Sequence, residues 1–147
     1  MALTNRVDDP GAMLLAIDQR LQRLERPAIP PWQAVVLGTN VVSYNTHSGI
    51  TTYTDPGCRI ENGNVRLKGL FAATGAITAF STAVVTLPTG YRPDRQIITT
   101  AVFDIATVLS QGSARLDIKT DGTILVGHTM ANNDIFCLDG ITFPLTN

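Results

Sequence analysis

Between residues 14 and 24 apolar side chains return at spacings of three, four and three: Leu14, Ile17, Leu21 and Leu24. This spacing lines one stripe of an α-helix. As a heptad it puts Leu14 and Leu21 at a, and Ile17 and Leu24 at d. Val7 extends the a row upstream. Asp8 and Asp9 can cap the N-terminus, Pro10 suits the first helical position, and Arg20, Arg23 and Arg26 gather where the helix dipole favours cations. Pro27 stops the helix. Arg20 falls at g and Glu25 at the next e, positions that meet across the interface of a parallel coiled coil. A helix this short is marginal alone, so its apolar stripe needs a cover. The alternatives are a bundle with other copies or packing along its own head, and the g–e pair favours the bundle.

The pattern changes at Pro27-Ala28-Ile29-Pro30-Pro31, where three prolines in five residues predict an extended, semi-rigid connector. Beyond it the period is two. Strands are predicted over Gln33–Leu37, Val41–Tyr44, Arg59–Ile60, Val65–Ala72, Val84–Leu87, Gln96–Phe103, Ala114–Lys119, Thr123–His128 and Ile135–Phe143. Asp55-Pro56-Gly57, Asn62-Gly63-Asn64, Pro88-Thr89-Gly90, Gln111-Gly112 and Asp121-Gly122 supply the turns. The expected organisation is an attachment helix at 1–26, a connector at 27–31 and a head at 32–147. The fold class is mainly β: a short N-terminal helix, then a β-sandwich or jelly-roll-like head.

Composition narrows the function. Charged residues are 16% of the 147 and the net charge is -1, so a basic surface for nucleic acid is not expected. No apolar run approaches a membrane span, and the acidic start lacks a secretory pattern. Charge below the usual share of about 25% suits a protein that hides surface between subunits. Cys58 and Cys137 are read as free thiols behaving as small hydrophobes, in a chain that folds in a reducing cytosol.

Candidate chemistry is thin. A glycosidase needs a facing carboxylate pair, but Asp55, Asp94 and Asp121 sit in turn contexts. Asp104 and Asp117 lie at strands, where Arg115 or Lys119 can neutralise them. The two histidines, His47 and His128, accompany no GxSxG or zinc spacing. His128 ends a predicted strand, and a position on a three-fold axis is the one metal reading considered for it. The expectation is a non-enzymatic protein without cofactor or metal.

Several segments then follow in order: Gly69-Leu70; Leu87-Pro88-Thr89-Gly90-Tyr91-Arg92-Pro93; Leu116 to Ile124 through Asp121-Gly122; and Leu138-Asp139-Gly140-Ile141-Thr142-Phe143. Together they resemble the head domain of trimeric tail-fibre and receptor-binding proteins of tailed bacteriophages, at the baseplate or tail tip, over about residues 32–147. The resemblance implies a homotrimer in the virion tail, assembled in the host cytoplasm, with other virion proteins and a host cell-surface saccharide as partners. A capsid, neck or tail-tip accessory without a glycan ligand is the alternative.

Glycan recognition asks for aromatic faces and adaptable polar groups. Tyr44, Asn45, His47, Tyr53 and Asn62, between early strands, and Asn132, Asn133 and Asp134, before the last one, are the candidate receptor contacts. Trp32 is read as the anchor of head to stalk, and the Leu87–Pro93 segment as a rigid corner. The trimer interface is expected at Leu14, Ile17, Leu21 and Leu24, flanked by Arg20 and Glu25; leucine at a with isoleucine at d disfavours a dimer, and the resemblance selects the trimer. Changing Ile17 and Leu21 together to Asp is expected to dissociate or weaken the particle in light scattering. An unaltered trimer with unaltered melting would show that the head trimerises alone.

Overall fold

The computed structural model describes residues 10–25, 29–105 and 110–145, leaving aside the side chains at 10, 22–25 and 110. The first helix, α1, runs Pro10–Glu25, with Pro10 in the first turn, where its missing N–H costs nothing. Its stripe is uncovered. Leu14 is 67% exposed, Ile17 46% and Leu21 49%, so α1 does not bury its apolar face on its own head. The side chains of Leu24 and Glu25, the expected caps Asp8 and Asp9, Val7 and the connector's Pro27 lie outside the described set. Ile29 to Trp32 have no regular structure.

The head is mainly β. Its strands are β1 (Gln33–Ala34), β2 (Val36–Leu37), β3 (Val41–Ser43), β4 (Gly57–Glu61), β5 (Asn64–Lys68), β6 (Leu70–Ala73), β7 (Ala83–Thr86), β8 (Ile97–Ile105), β9 (Ser110–Ile118), β10 (Thr123–Val126), β11 (Ile135–Cys137) and β12 (Thr142–Pro144), with a short helix α2 at Tyr44–Ser48. They form a four-stranded sheet ordered β1-β4-β5-β12 and an eight-stranded sheet ordered β2-β7-β10-β9-β8-β11-β6-β3. The two edges of the larger sheet, β2 and β3, touch, so it curls nearly closed. A single buried cluster joins the sheets, with Cys58, Val65, Leu67 and Phe143 from the small one and Phe71, Leu116, Ile118, Ile124 and Phe136 among those from the large one.

The predicted Asn62-Gly63 and Asp121-Gly122 turns are the β4–β5 and β9–β10 hairpins. At the second, Asp121 accepts the Thr123 N–H at 2.8 Å, locking its own turn. Alternation there is as expected: Ile118 faces Ile124 and Leu116 faces Val126, all buried.

Three predicted strands are each broken in two. Gln33–Leu37 divides at Val35 into β1 of the small sheet and β2 of the large one, and the other two breaks lie side by side. Val65–Ala72 divides at Gly69, and Ile135–Phe143 divides around Asp139-Gly140. In both cases the chain leaves one sheet for the other: β5 and β12 belong to the small sheet, β6 and β11 to the large one. The two crossings are stitched together. The Gly69 N–H donates to the Asp139 carboxylate at 2.8 Å, and the Leu138 N–H donates to the Gly69 carbonyl at 2.9 Å. Gly69 adopts φ +95°, and a Cβ there would lie 2.5 Å from the backbone of Asp55. At Gly69 a period-two reading sees no break, because Val65, Leu67 and Phe71 keep one alternation through it; around Asp139-Gly140 the buried positions shift phase, from Phe136 and Leu138 to Ile141 and Phe143.

The Leu87–Pro93 segment is a corner, as expected. The Tyr91 N–H donates to Pro88 O at 3.1 Å, Arg92 Nε donates to Leu87 O at 3.1 Å, and Leu87 N–H donates to Gly122 O at 2.9 Å, which fixes the corner on the β9–β10 turn. Trp32 carries the Arg59 guanidinium 4.5 Å and the Lys68 ammonium 4.8 Å from its ring centre. Two cation–π contacts on adjacent strands hold the chain where it enters the head.

Glycine positions separate strain from collision. Gly63 has φ +75° with open space around it, so Gly63→Ala should cost about 1–2 kcal/mol. Gly69→Ala adds a backbone clash and is expected to cost several kcal/mol more, or to prevent folding. Chemical denaturation of the two variants checks this; equal losses would mean the crossing is not under tight steric control.

Candidate functional site

Strand register decides which side chains meet outside the large sheet. Phe71, Phe136 and Phe103 are paired neighbours on β6, β11 and β8. Their rings stack, with centroids 5.7 Å apart for Phe71–Phe136 and 5.6 Å for Phe103–Phe136, on the core side, where Phe71 and Phe136 are fully buried. Opposite Phe103 on β9 is Gly112, and a Cβ there would come within 3.0 Å of the Phe103 ring. The residues flanking this row must face the other way: Leu70, Ile135, Cys137, Val102, Asp104 and Gln111. With Tyr44 and Tyr53 along one wall and residue Phe103 at the floor between Val102 and Asp104, they line a groove of about 240 Å³.

The tyrosine wall depends on α2. The expected extension of β3 to Tyr44 does not occur, because the chain turns into α2 at that residue. Asn45 is the reason. Its side chain donates to Tyr53 O at 2.6 Å and accepts the Tyr53 N–H at 3.2 Å, in the manner of a missing strand partner. Ser48 Oγ donates to Tyr44 O at 2.8 Å, and Gly49, at φ +69°, closes the helix onto Asn45 O. The outcome is an edge-to-face pair, Tyr44 and Tyr53, with ring centroids 5.1 Å apart. Asp55 ties the base: its carboxylate accepts from Ser43 Oγ and, at 3.1 Å, from Asn45 Nδ2.

Polar character in the groove comes from Asp104 and Gln111, which face one another across β8 and β9. Neither side chain makes a hydrogen bond or ion pair among the described residues. The expectation that Asp104 is neutralised by Arg115 or Lys119 is therefore not met. Arg115 instead engages Asp117, at 2.5 and 2.8 Å, with Gln96 completing that carboxylate's partners at 3.0 Å.

The other sequence-selected residues are scattered. His47 sits on α2 without lining the groove. Asn62 is on the β4–β5 turn of the small sheet, in a left-handed conformation at φ 52°. Asn132 and Asn133 are exposed on the turn before β11, where the Asn133 N–H donates to Ala73 O at 2.8 Å. Asp134 is corrected outright. It is 2% exposed and its carboxylate accepts the Ala131 N–H at 2.8 Å, so it braces the turn and offers nothing to a ligand. His128 stacks on Phe103 with centroids 4.7 Å apart. Cys58 is wholly buried, and burial pushes its thiol up to about 11. Cys137 lines the groove, its thiol raised first of all by burial.

Of the residues selected from the sequence as receptor contacts, the two tyrosines line this candidate groove; Leu70, Val102, Gln111, Ile135 and Cys137 line it without having been selected. Alternation along Ile97–Ile105 and Ser110–Ile118 carries the signal, since Val102 and Asp104 share a face. The partners of that face are set by pairings between distant strands.

No protein-family model and no curated protein sequence matches the chain. Among solved structures, the receptor-binding protein gp15 of Listeria phage PSA is similar at a TM-score of 0.62 and 16% identity, covering 97% of this chain and 83% of that one. The head domain of lactococcal phage bIL170, described with the receptor-binding domains of such phages, is similar at 0.52 and 17% identity, covering 79% of this chain and 98% of that one. The chain therefore has the fold seen in phage receptor-binding proteins.

The Asp55 latch predicts a pH dependence. Hydrogen bonds from Ser43, then Asn45, hold the carboxyl below its ordinary 3.8. A depressed pKa stabilises fully above the unfolded value and loses that contribution as pH falls through the folded one. Hydrogen exchange at α2 should accelerate below about pH 4 relative to strands of the buried core, and Asp55→Ala should show the faster rate already at neutral pH. Exchange at α2 indifferent to both changes would remove the latch.

Proposed function

We propose that this chain is a receptor-binding protein of a bacteriophage tail, a homotrimer whose head contacts a saccharide on the host cell surface without turning it over. The observation that carries this reading is the groove: two tyrosine rings along one wall, with an unpartnered carboxylate and amide across from them. Such sites bind sugars through ring faces and a few oriented polar groups. The likeness to two phage receptor-binding folds supports it, one of them over nearly the whole chain.

The helix supports the trimer. Leu14, Ile17 and Leu21 are exposed in one copy, and a coiled coil of three α1 helices would cover them, with Arg20 of one helix near Glu25 of the next. Other virion proteins would hold the stalk. A single shallow groove binds weakly. Three per trimer, and several trimers per particle, raise avidity by about 10²–10⁴ without new contacts.

Titrating polysaccharide from a bacterium the phage adsorbs to into the full chain should give saturable binding without new reducing ends. Tyr53→Ala should weaken it by about tenfold or more, as loss of an aromatic contact near 1.5 kcal/mol implies. Binding indifferent to Tyr53 would move the site elsewhere on the head. No binding by the trimer would favour a structural accessory of the capsid, neck or tail tip.

A further inference from the structure

The groove has one sign of charge. Asp104 is half-buried at its rim, and no lysine or arginine is among the side chains that line it. The four residues connecting β8 to β9 in sequence, 106–109, are Ala-Thr-Val-Leu and bring no charge. Cations near in sequence are committed elsewhere: Arg115 to Asp117, and Lys68 to the Trp32 ring. A carboxylate can only accept hydrogen bonds, and nothing among the described residues donates to this one. Gln111, opposite it, can donate or accept. A volume of about 240 Å³ falls below the roughly 300–1,000 Å³ of drug-sized sites, so the groove suits one sugar ring.

We propose that the groove selects sugars by charge. It takes a ring that presents hydrogen-bond donors, hydroxyl or ammonium, to Asp104, and turns away rings carrying phosphate, sulfate or carboxylate next to those donors. This rests on the receptor-binding reading above. The ring lies against Tyr44 and Tyr53, two of its donors meet the Asp104 oxygens, and Gln111 bonds a neighbouring substituent. An added anion has no cation to meet and stands a few ångströms from Asp104, where repulsion in a partly dry groove exceeds its value in open water. An ammonium in the same place gains from the carboxylate and from the aromatic faces.

The test is a bacterial glycan array carrying matched sets: a hexose, its 2-amino form, and its phosphate or uronic acid. The full chain is applied as wild type, Asp104→Asn and Asp104→Lys, with melting curves as the check on folding. Wild type should bind the anionic members about fivefold or more weaker than the neutral ones. Asp104→Asn should narrow that gap and Asp104→Lys reverse it. The ratio of amine to neutral binding tells which donor source the groove prefers. Anionic members bound by wild type as well as neutral ones, or a ranking unmoved by Asp104→Lys, would overturn the charge rule. If no variant binds any member and the intact bacterial polysaccharide is also not bound, the receptor-binding reading itself has failed. Polysaccharide binding with the wrong ranking defeats only the charge rule.

Discussion

The head depends on one junction, where two strands change sheets side by side. Gly69 and Asp139 make it: the glycine N–H on the carboxylate, the glycine carbonyl taking the Leu138 N–H, and the Asp55 backbone packed so closely that only a hydrogen fits at the α-carbon. Without it β5 and β6 would run on as one strand, and only the β1–β2 crossing would carry the chain from the small sheet to the large one. The same junction sets the groove. Leu70 and Cys137, the first residues on the large-sheet side of the two crossings, pair with each other and line it.

From there the geometry propagates by alternation. The stacked rings of Phe71, Phe136 and Phe103 commit one face to the core, and a period of two leaves their neighbours no choice but the other face. Gly112 gives the Phe103 ring its room. Asp104 and Gln111 are thus held on long, paired strands, while the tyrosines are held on a short helix and loop latched by Asn45 and Asp55. The Leu87–Pro93 corner sits at the other end of β9, about 23 Å from Gln111 at the usual rise per residue, and serves the fold.

Much of this was legible in the sequence, for definite reasons. The heptad in α1, the Asn62-Gly63 and Asp121-Gly122 hairpins, and the alternation of Leu116, Ile118, Ile124 and Val126 are local signals. The crossing at Gly69 was not legible, because Val65, Leu67 and Phe71 keep one alternation through it; the one at Asp139-Gly140 left a trace, a phase shift from Phe136 and Leu138 to Ile141 and Phe143, which the reading as a single strand passed over. The helix at Tyr44 was missed because it is nucleated by a side chain eight residues from its partner. Asp134 looked like an exposed loop acid and is a buried brace, a difference made by one backbone N–H at Ala131. Asp104 was found as a strand acid, but its freedom follows from Arg115 having a better partner two residues on, in Asp117.

On the receptor-binding function proposed above, hydrogen–deuterium exchange on the full chain, with and without a bacterial surface polysaccharide that it binds, tests the location of the site most directly. The account predicts added protection in peptides covering 44–53, 102–105, 111–112 and 135–137, with the Leu87–Pro93 corner and the Asn62-Gly63 turn unchanged. Protection confined to that corner or that turn, with the tyrosine wall and Asp104 unaffected, would contradict it.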